Sequence, residues 1–552
     1  MYSDPHLARW RVVVGGILAL VVGVPLSWPL VGLVIHPSSW QAWGDWERIG
    51  ELAGNTFLLM AGTLVFALPC GTIAAFLLYR TDLPLRYFFR FVVLLTLFVP
   101  LPLLTTAWQT ALGSGGWRPL GMWNQALFWK PWATGLGPAT WVHTMAALPW
   151  VILLVGQGLL WVERELEEDA LTIVGPWRIL IHVTLRRTWG VLGAAALWAV
   201  LPIVTEITVT DVMQVRTLAE ETYTQVVLRD VNGLYRAMAI SFPAMIGVGI
   251  LLVNVVRRVE RRIPSLEFYS SSPLVFPLGL LRWPLFFLTL IALTILDAVP
   301  LSSLIWKAGL AGGRDVWTGS TVIKTIERVL AKNSLLVVNS IELAITTGLI
   351  VALFSLMLCW LTQDSKRLVP GMLGILTLAW ILPGPLIGFG LKEIILYIVE
   401  VRPAGLLSRM LYFGPSPAPV LWANVIRFLP FGMAILWPMV RMIPNEIRES
   451  AQLEGARPGR MLISIYFPLT LSPCLKAFLA VSVLSLGELG AGKIVETPDY
   501  RVFAHEIFEQ MHYGVTNELA GLCLVLLGMV GLGAVLVLGI DGVFKGFGKR
   551  IL

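Results

Sequence analysis

Gly487, Gly492 and Lys493, in the stretch LSLGELGAGKIVE (residues 484–496), stand in the spacing G-x-x-x-x-G-K. That is most of a phosphate-binding loop, in which backbone N–H groups cradle phosphates, the lysine reaches the terminal ones, and a following Ser or Thr hydroxyl holds Mg²⁺. The residue after this lysine is Ile494, which has no hydroxyl. The surroundings disagree as well. A phosphate loop follows a short buried strand and opens a helix, whereas Gly487 comes late in an apolar run that starts near Leu471 and is long enough to cross a bilayer. The sequence therefore predicts no nucleotide here. The other reactive residues form no constellation. Cys70, Cys359, Cys474 and Cys523 fall in apolar segments without metal-ligand spacing, and the six histidines are scattered with no H-x-x-x-H pair. The chain is expected to be no enzyme and to hold no metal or cofactor.

What positions these residues is a membrane. Of 552 residues 57% are hydrophobic and 14% charged, with mean hydropathy +0.77, against about 25% charged in soluble domains. Twelve apolar segments reach about 20 residues, enough for a hydrocarbon core: 12–35, 54–79, 87–111, 138–161, 189–211, 235–256, 283–306, 334–362, 369–398, 418–440, 471–492 and 517–541. The first exceeds a signal-peptide core and is read as a retained helix. The net charge of +7 reflects orientation, not a nucleic-acid partner. With both termini inside, Arg80, Arg86, Arg90, the run Arg257, Arg258, Arg261, Arg262 and the tail Lys545, Lys549, Arg550 fall on the cytoplasmic side. The 23 tryptophans suit interfacial anchoring among lipids.

The chain is written twice. Asn55 matches Asn339. Pro149 matches Pro430, and Glu168-Asp169-Ala170 matches Glu449-Ser450-Ala451, both at an offset of 281. Glu206 matches Glu488 at 282, and Glu221-x-Tyr223-x-Gln225 matches Glu506-x-Phe508-x-Gln510 at 285. The fold expected is all-α integral membrane, about 12 transmembrane helices as two parallel six-helix repeats related by an axis along the membrane normal. The domains are 1–262 and 281–552, joined by a cytoplasmic linker over 263–280.

The stretch ESAQLEGARPGRMLISIYFP, residues 449–468, carries the most information. It reads E-A-A-x-x-x-G, nine residues, then I-x-L-P, through Glu449, Ser450, Ala451, Gly455, Ile465, Phe467 and Pro468. Small Ser450 and Ala451 allow close approach to a partner, Gly455 allows a sharp turn, Glu449 suits a helix start, and Pro468 suits the start of the next membrane helix. This pattern resembles the EAA loop of binding-protein-dependent ABC importer permeases, with Ser450 and Phe467 as departures. The resemblance implies a short coupling helix docked on a separate ATPase. The first-half copy, residues 167–187, keeps Glu168, Asp169 and Ala170. Val174 stands at the glycine's place with Gly175 next, and Arg186 or Arg187 replaces the proline. That departure predicts an asymmetric pair of contacts.

The stretches SLGELGA, FAHEIFEQMHYG and residues 55–84 are similar to two-in-one permeases for ferric iron and thiamine. The resemblance implies a transport subunit of a bacterial plasma membrane, working with two copies of an ATPase, which supply the ATP and Mg²⁺ site, and with a periplasmic or lipid-anchored solute-binding protein. The cargo is a small solute, ferric iron ahead of thiamine. It also puts Glu206 and Glu488 near the pathway. They are read as structural and gating groups ahead of substrate contact, with both roles open. Gly487 and Gly490 serve helix packing. A major-facilitator transporter is the competing reading, but the loop YRTDLPLR lacks the G-x-x-x-D-R-x-G-R-R expected there. A membrane-embedded transferase would need clustered Asp, His or Cys on a loop.

Overall fold

In the computed structural model the described residues are 5–113, 134–228, 231–260, 273–310, 316–363, 365 and 368–551. Among them the chain is all-helical, without strands. Nine helices are long and apolar enough to cross a membrane, and up to 12 spans result if three bent pairs each count as one. This is a multi-pass architecture. Residues 263–272 of the expected linker, and Arg261 and Arg262 before it, lie outside the described residues. Where the chain resumes it is pinned to the end of the Trp46–Arg80 helix: Phe276 N–H donates to the Arg80 carbonyl at 2.8 Å and Leu278 N–H to Asp82 at 2.8 Å.

Local chemistry sets the helix limits. Asp45 caps the Trp46–Arg80 helix by accepting from Arg48 N–H at 3.2 Å, and Thr217 caps Leu218–Val227 through Glu220 N–H at 3.3 Å. Buried threonines return their hydroxyls to the carbonyl one turn back, as Thr56 does to Leu52 at 2.7 Å. Such a bond satisfies the hydroxyl locally, although the buried hydroxyls of Thr63 and Thr347 have no partner.

Two of the twelve apolar segments are not straight spans. Segment 87–111 is Arg86–Thr96 and Leu101–Leu112, bent by 104°, and segment 369–398 is Leu368–Ile381 and Gly384–Val401, bent by 111°. Proline explains both. Pro100 and Pro383 cannot donate to a preceding turn, and Pro102 and Pro385 each sit at the second position of the new helix. A third bend, of 75°, separates Pro458–Leu469 from Leu471–Ser485. Segment 471–492 is helical from Leu471 only to Ser485.

Several elements recur at the repeat spacing. Asn55 Nδ2 donates to the Arg216 carbonyl at 3.0 Å, and Asn339 Nδ2 to that of Arg501 at 3.1 Å. The next residues accept in parallel: Thr56 from Leu218 N–H at 3.1 Å and Ser340 from Phe503 N–H at 2.8 Å. Five-residue π-helical segments stand at Leu180–Thr184 and Leu462–Tyr466. Rings from both sequence halves, Trp150 and Trp198 with Trp380, Phe428 and Phe431, pack edge-on or tilted with centroids 4.8–6.0 Å apart.

Candidate functional site: two loop helices and a polar centre

The two expected coupling segments lie at one end of the bundle. Helices lead from them across the membrane to Asp211 and His512, which meet at the opposite end with Oδ2 and Nε2 3.0 Å apart. The second segment forms a helix over Asn445–Leu453, introduced by the extended Pro444. Gly455 closes it with φ +76°, while Gly455 N–H donates to Gln452 and Ala456 N–H to Ala451 at 3.0 and 2.9 Å. This left-handed turn is the one the glycine was expected to supply. Two expectations shift. Glu449 stands at the middle of the helix, because Pro444 sets its start, so Glu446 is the acidic residue in the first turn. Pro468 lies inside a helical segment, two residues before the 75° bend at Thr470. Ile465 is half-buried against the core, whereas Glu449 and Ser450 are exposed and Leu453 is 89% exposed.

The first segment differs in the ways its sequence does. Its helix is Arg164–Leu171, and Gly175 is not left-handed. The helix unwinds instead through Ile173 and Val174 N–H bonds to the Ala170 carbonyl, and the Gly175 carbonyl starts the next helix by accepting from Arg178. From there the chain runs unbroken from Pro176 to Thr205, where the second half bends; no proline stands among Arg186 and Arg187. Glu168 and Asp169 are exposed, Glu168 paired with Arg164 at 2.7 Å, and Ala170 is half-buried. Ile173 is 84% exposed. Each loop thus exposes a large apolar side chain next to its helix end.

Sequence reasoning missed the strongest feature of the first segment. Arg80 and Glu167, both fully buried, form an ion pair. Arg80 also donates to the Leu159 carbonyl at 2.6 Å, and the second oxygen of Glu167 accepts from Thr184 at 2.7 Å. One carboxylate thereby ties the loop helix to the ends of three others. No signal marked Glu167 apart from its acidic neighbours, and Arg448 holds the matching place in the second half, so repeat comparison concealed it.

The other sequence-predicted residues meet in the middle of the bundle, where helices end. Glu488 is buried, and its two carboxylate oxygens accept from Ala491 and Gly492 N–H, each at 3.0 Å, capping the turn Gly492–Val495. A Cβ on Gly487 would collide with the Pro100 ring, and one on Gly490 would lie 3.1 Å from Gly384 Cα. The loop after Ser485 thus presses on two of the three breaks, those at Pro100 and Pro383. The repeated pattern P-x-P-L at Pro100 and Pro383 was a readable signal for these breaks. Glu206 ends the Leu180–Thr205 helix and accepts from Thr208 at 3.2 Å, with Arg427 and Glu488 in electrostatic reach. Arg427 spans the junction, donating to the Leu382 carbonyl at 3.4 Å and to Thr205 at 3.3 Å.

Lys493 answers the phosphate-loop question. Its ammonium donates to Glu496 at 2.8 Å and Glu509 at 2.5 Å, so it faces two carboxylates. Burial pushes the Glu496 carboxyl up, but His505 and Lys493, both hydrogen-bonded to it, reverse this and hold it below its usual range. Phosphate would meet negative charge here. Replacing Lys493 by Ala is accordingly expected to leave nucleotide binding by the purified chain at background, as read by equilibrium binding of labelled ATP; a large loss of affinity would restore the phosphate-loop reading.

At the end opposite the loops, Tyr223 and Phe508, matched residues of the two sequence halves, stack edge-on with centroids 6.2 Å apart. His512 packs on Phe508 at 4.9 Å and reaches Asp211. Burial and the Asp211 charge push the Tyr223 hydroxyl up to about 12. Among the described residues no three His, Cys, Asp or Glu side chains gather as a metal site. No family model matches this chain, and no curated protein matches it either.

Proposed function

We propose that this chain is the permease subunit of an ATP-binding-cassette importer, with two fused transmembrane halves of the type I arrangement. Residues 1–262 and 281–552 form the halves around one pathway. The observation that carries this reading is the second loop: the EAA-like residues fold as a short exposed helix, a left-handed Gly455 turn and a return into the membrane. Exposed Leu453 and Ile173 give both loops an apolar contact for a partner surface. The paired bonds of Asn55 and Asn339, and the meeting of Tyr223 with Phe508, support a two-fold relation of the halves.

In this reading two ATPase subunits dock on Glu168–Arg187 and Glu449–Pro468, in the cytoplasm of a bacterial cell. A periplasmic or lipid-anchored binding protein delivers the solute, ferric iron ahead of thiamine, to the other face. ATPase closure draws the loops together and rocks the halves, which separates Tyr223 from Phe508. Glu488 serves the loop at the helix break, since both its oxygens hold backbone N–H groups. Glu206 and Arg427 line the junction that must move. The test is uptake into vesicles carrying this chain with its ATPase and binding protein. Uptake is expected to require ATP and to survive collapse of ion gradients. Gradient-driven uptake without the ATPase would overturn the reading.

A further inference from the structure

A groove of about 740 Å³ opens sideways from the bundle, walled almost entirely by carbon. Ile17 and Val21 of the N-terminal helix form one side, Leu353 and Met357 of the Ser334–Thr362 helix another, and Leu462 and Ile463 of the π-helical segment after the second loop helix the third. It is open to its surroundings: Ile17 is 43%, Leu353 47% and Ile463 71% exposed. All three walls belong to segments that cross or enter the membrane. Its volume lies within the range of about 300–1,000 Å³ typical of ligand sites.

Arginines precede two of the groove's walls in the chain, Arg9 and Arg11 before Ile17 and Arg457 and Arg460 before Leu462. Arg11 donates through Nε to the Leu361 carbonyl at 3.0 Å, which anchors its guanidinium one helical turn beyond Met357. That bond leaves the two terminal nitrogens of the guanidinium over for another acceptor. Arg11 precedes Ile17 by six residues, about 9 Å of helix. Arg9 is exposed nearby in sequence on the same helix. From the other side the chain enters the groove at Leu462 directly after Arg457 and Arg460, both exposed. Among the described residues Glu446, Glu449 and Glu454, on the loop helix and at its end, are the acidic residues of this approach. An apolar slot between membrane helices, whose walls lead on in the chain to arginines at the loop side, matches a molecule with a hydrocarbon tail and an anionic phosphate head.

We propose that this groove is a binding site for one anionic phospholipid, its acyl chain between Ile17, Leu353 and Ile463 and its phosphate on Arg11 and Arg460. The lipid joins the N-terminal helix to the segment that carries the second loop back into the membrane.

The experiment exposes the purified full-length chain to mixed micelles holding equal amounts of phosphatidylglycerol and phosphatidylcholine, and reads retained lipid by native mass spectrometry. Phosphatidylglycerol is expected to be retained preferentially, and each of Arg11→Gln and Arg460→Gln to weaken that preference about fivefold, the usual worth of one basic residue at a lipid surface. Ile463→Trp, which fills the slot, is expected to reduce retention of both lipids. Arg282→Gln, a basic residue away from the groove, leaves the preference unchanged, and inorganic phosphate does not displace the lipid. Equal retention of the two lipids by the unaltered chain, or a preference untouched by Arg460→Gln, would overturn the proposal. Arg460 is exposed, so its replacement does not threaten folding. The readout is lipid retention alone, so it stands or falls separately from the transport reading.

Discussion

Uptake should collapse, with the protein still folded in the membrane, when Glu449 is replaced by Lys or Gly455 by Val. Glu449 is exposed on a helix that stands clear of the core, so its charge reversal is expected to change stability by less than about 0.5 kcal/mol. Its effect falls on whatever the helix touches. Gly455 is a different case. Open space surrounds its Cβ position, so no clash arises, but φ +76° is left-handed. An L-residue there costs about 1–2 kcal/mol, more for a β-branched one, and the turn opens to relieve it. The loop helix then points elsewhere. ATP hydrolysis by the assembled transporter should continue while uptake falls by about tenfold, the factor equivalent to roughly 1.4 kcal/mol of lost coupling. Glu168→Lys should be milder, and Gly175→Ala nearly silent, because Gly175 is not left-handed and has open space around it. The measurement is ATPase rate and solute uptake in the same vesicles. Normal uptake by both second-half variants would contradict the coupling role of this loop.

The largest loss of stability should come from the first half. Arg80→Met or Glu167→Leu alone leaves a fully buried charge without its counter-ion, and such a break costs about 3–5 kcal/mol. The double variant removes both charges and should recover most of that loss, since a buried pair often gives little net gain over apolar side chains. Thr184 and the Leu159 carbonyl lose their partners in the double variant, so recovery stays incomplete. Thermal unfolding of the four proteins in detergent gives the cycle. Additive effects of the two single replacements would mean that the charges act separately, against the geometry. The transport consequence is specific to one loop: the first loop helix should loosen, and the second, which lacks this carboxylate, should not.

How much could be read in advance follows the range of each interaction. The Gly455 turn was legible because only local backbone sterics decide it, and the membrane helices were legible because apolar length alone marks them. The motif suggests a helix start near Glu449, but Pro444 sets it at Asn445, four residues earlier. The bends at Pro100 and Pro383 were hidden by unbroken apolar runs, although the prolines were in view. The partners of Lys493 were less accessible: Glu509 lies on a separate helix, and only the folded chain brings it to 2.5 Å. Arg80 and Glu167 were illegible for the same reason, being 87 residues apart. For Glu206 and Glu488 the sequence left a structural role and a pathway role both open, and the capping of the Ala491 and Gly492 N–H groups by Glu488 emerges only in the folded chain.

The N-terminal helix does not close against its own sequence neighbours alone. Arg11 bonds to Leu361, 350 residues later, and the Val21 carbonyl accepts from Trp422 at 2.7 Å, 401 residues later. During synthesis at about 5–20 residues per second, the first helix must therefore wait roughly 20–80 s for these two partners to be made. Over that interval the Val21 carbonyl lacks the Trp422 indole that it accepts from in the folded chain. Splitting this chain into two separately translated polypeptides would turn that wait into a bimolecular search, and yield would then depend on the concentration of the second piece.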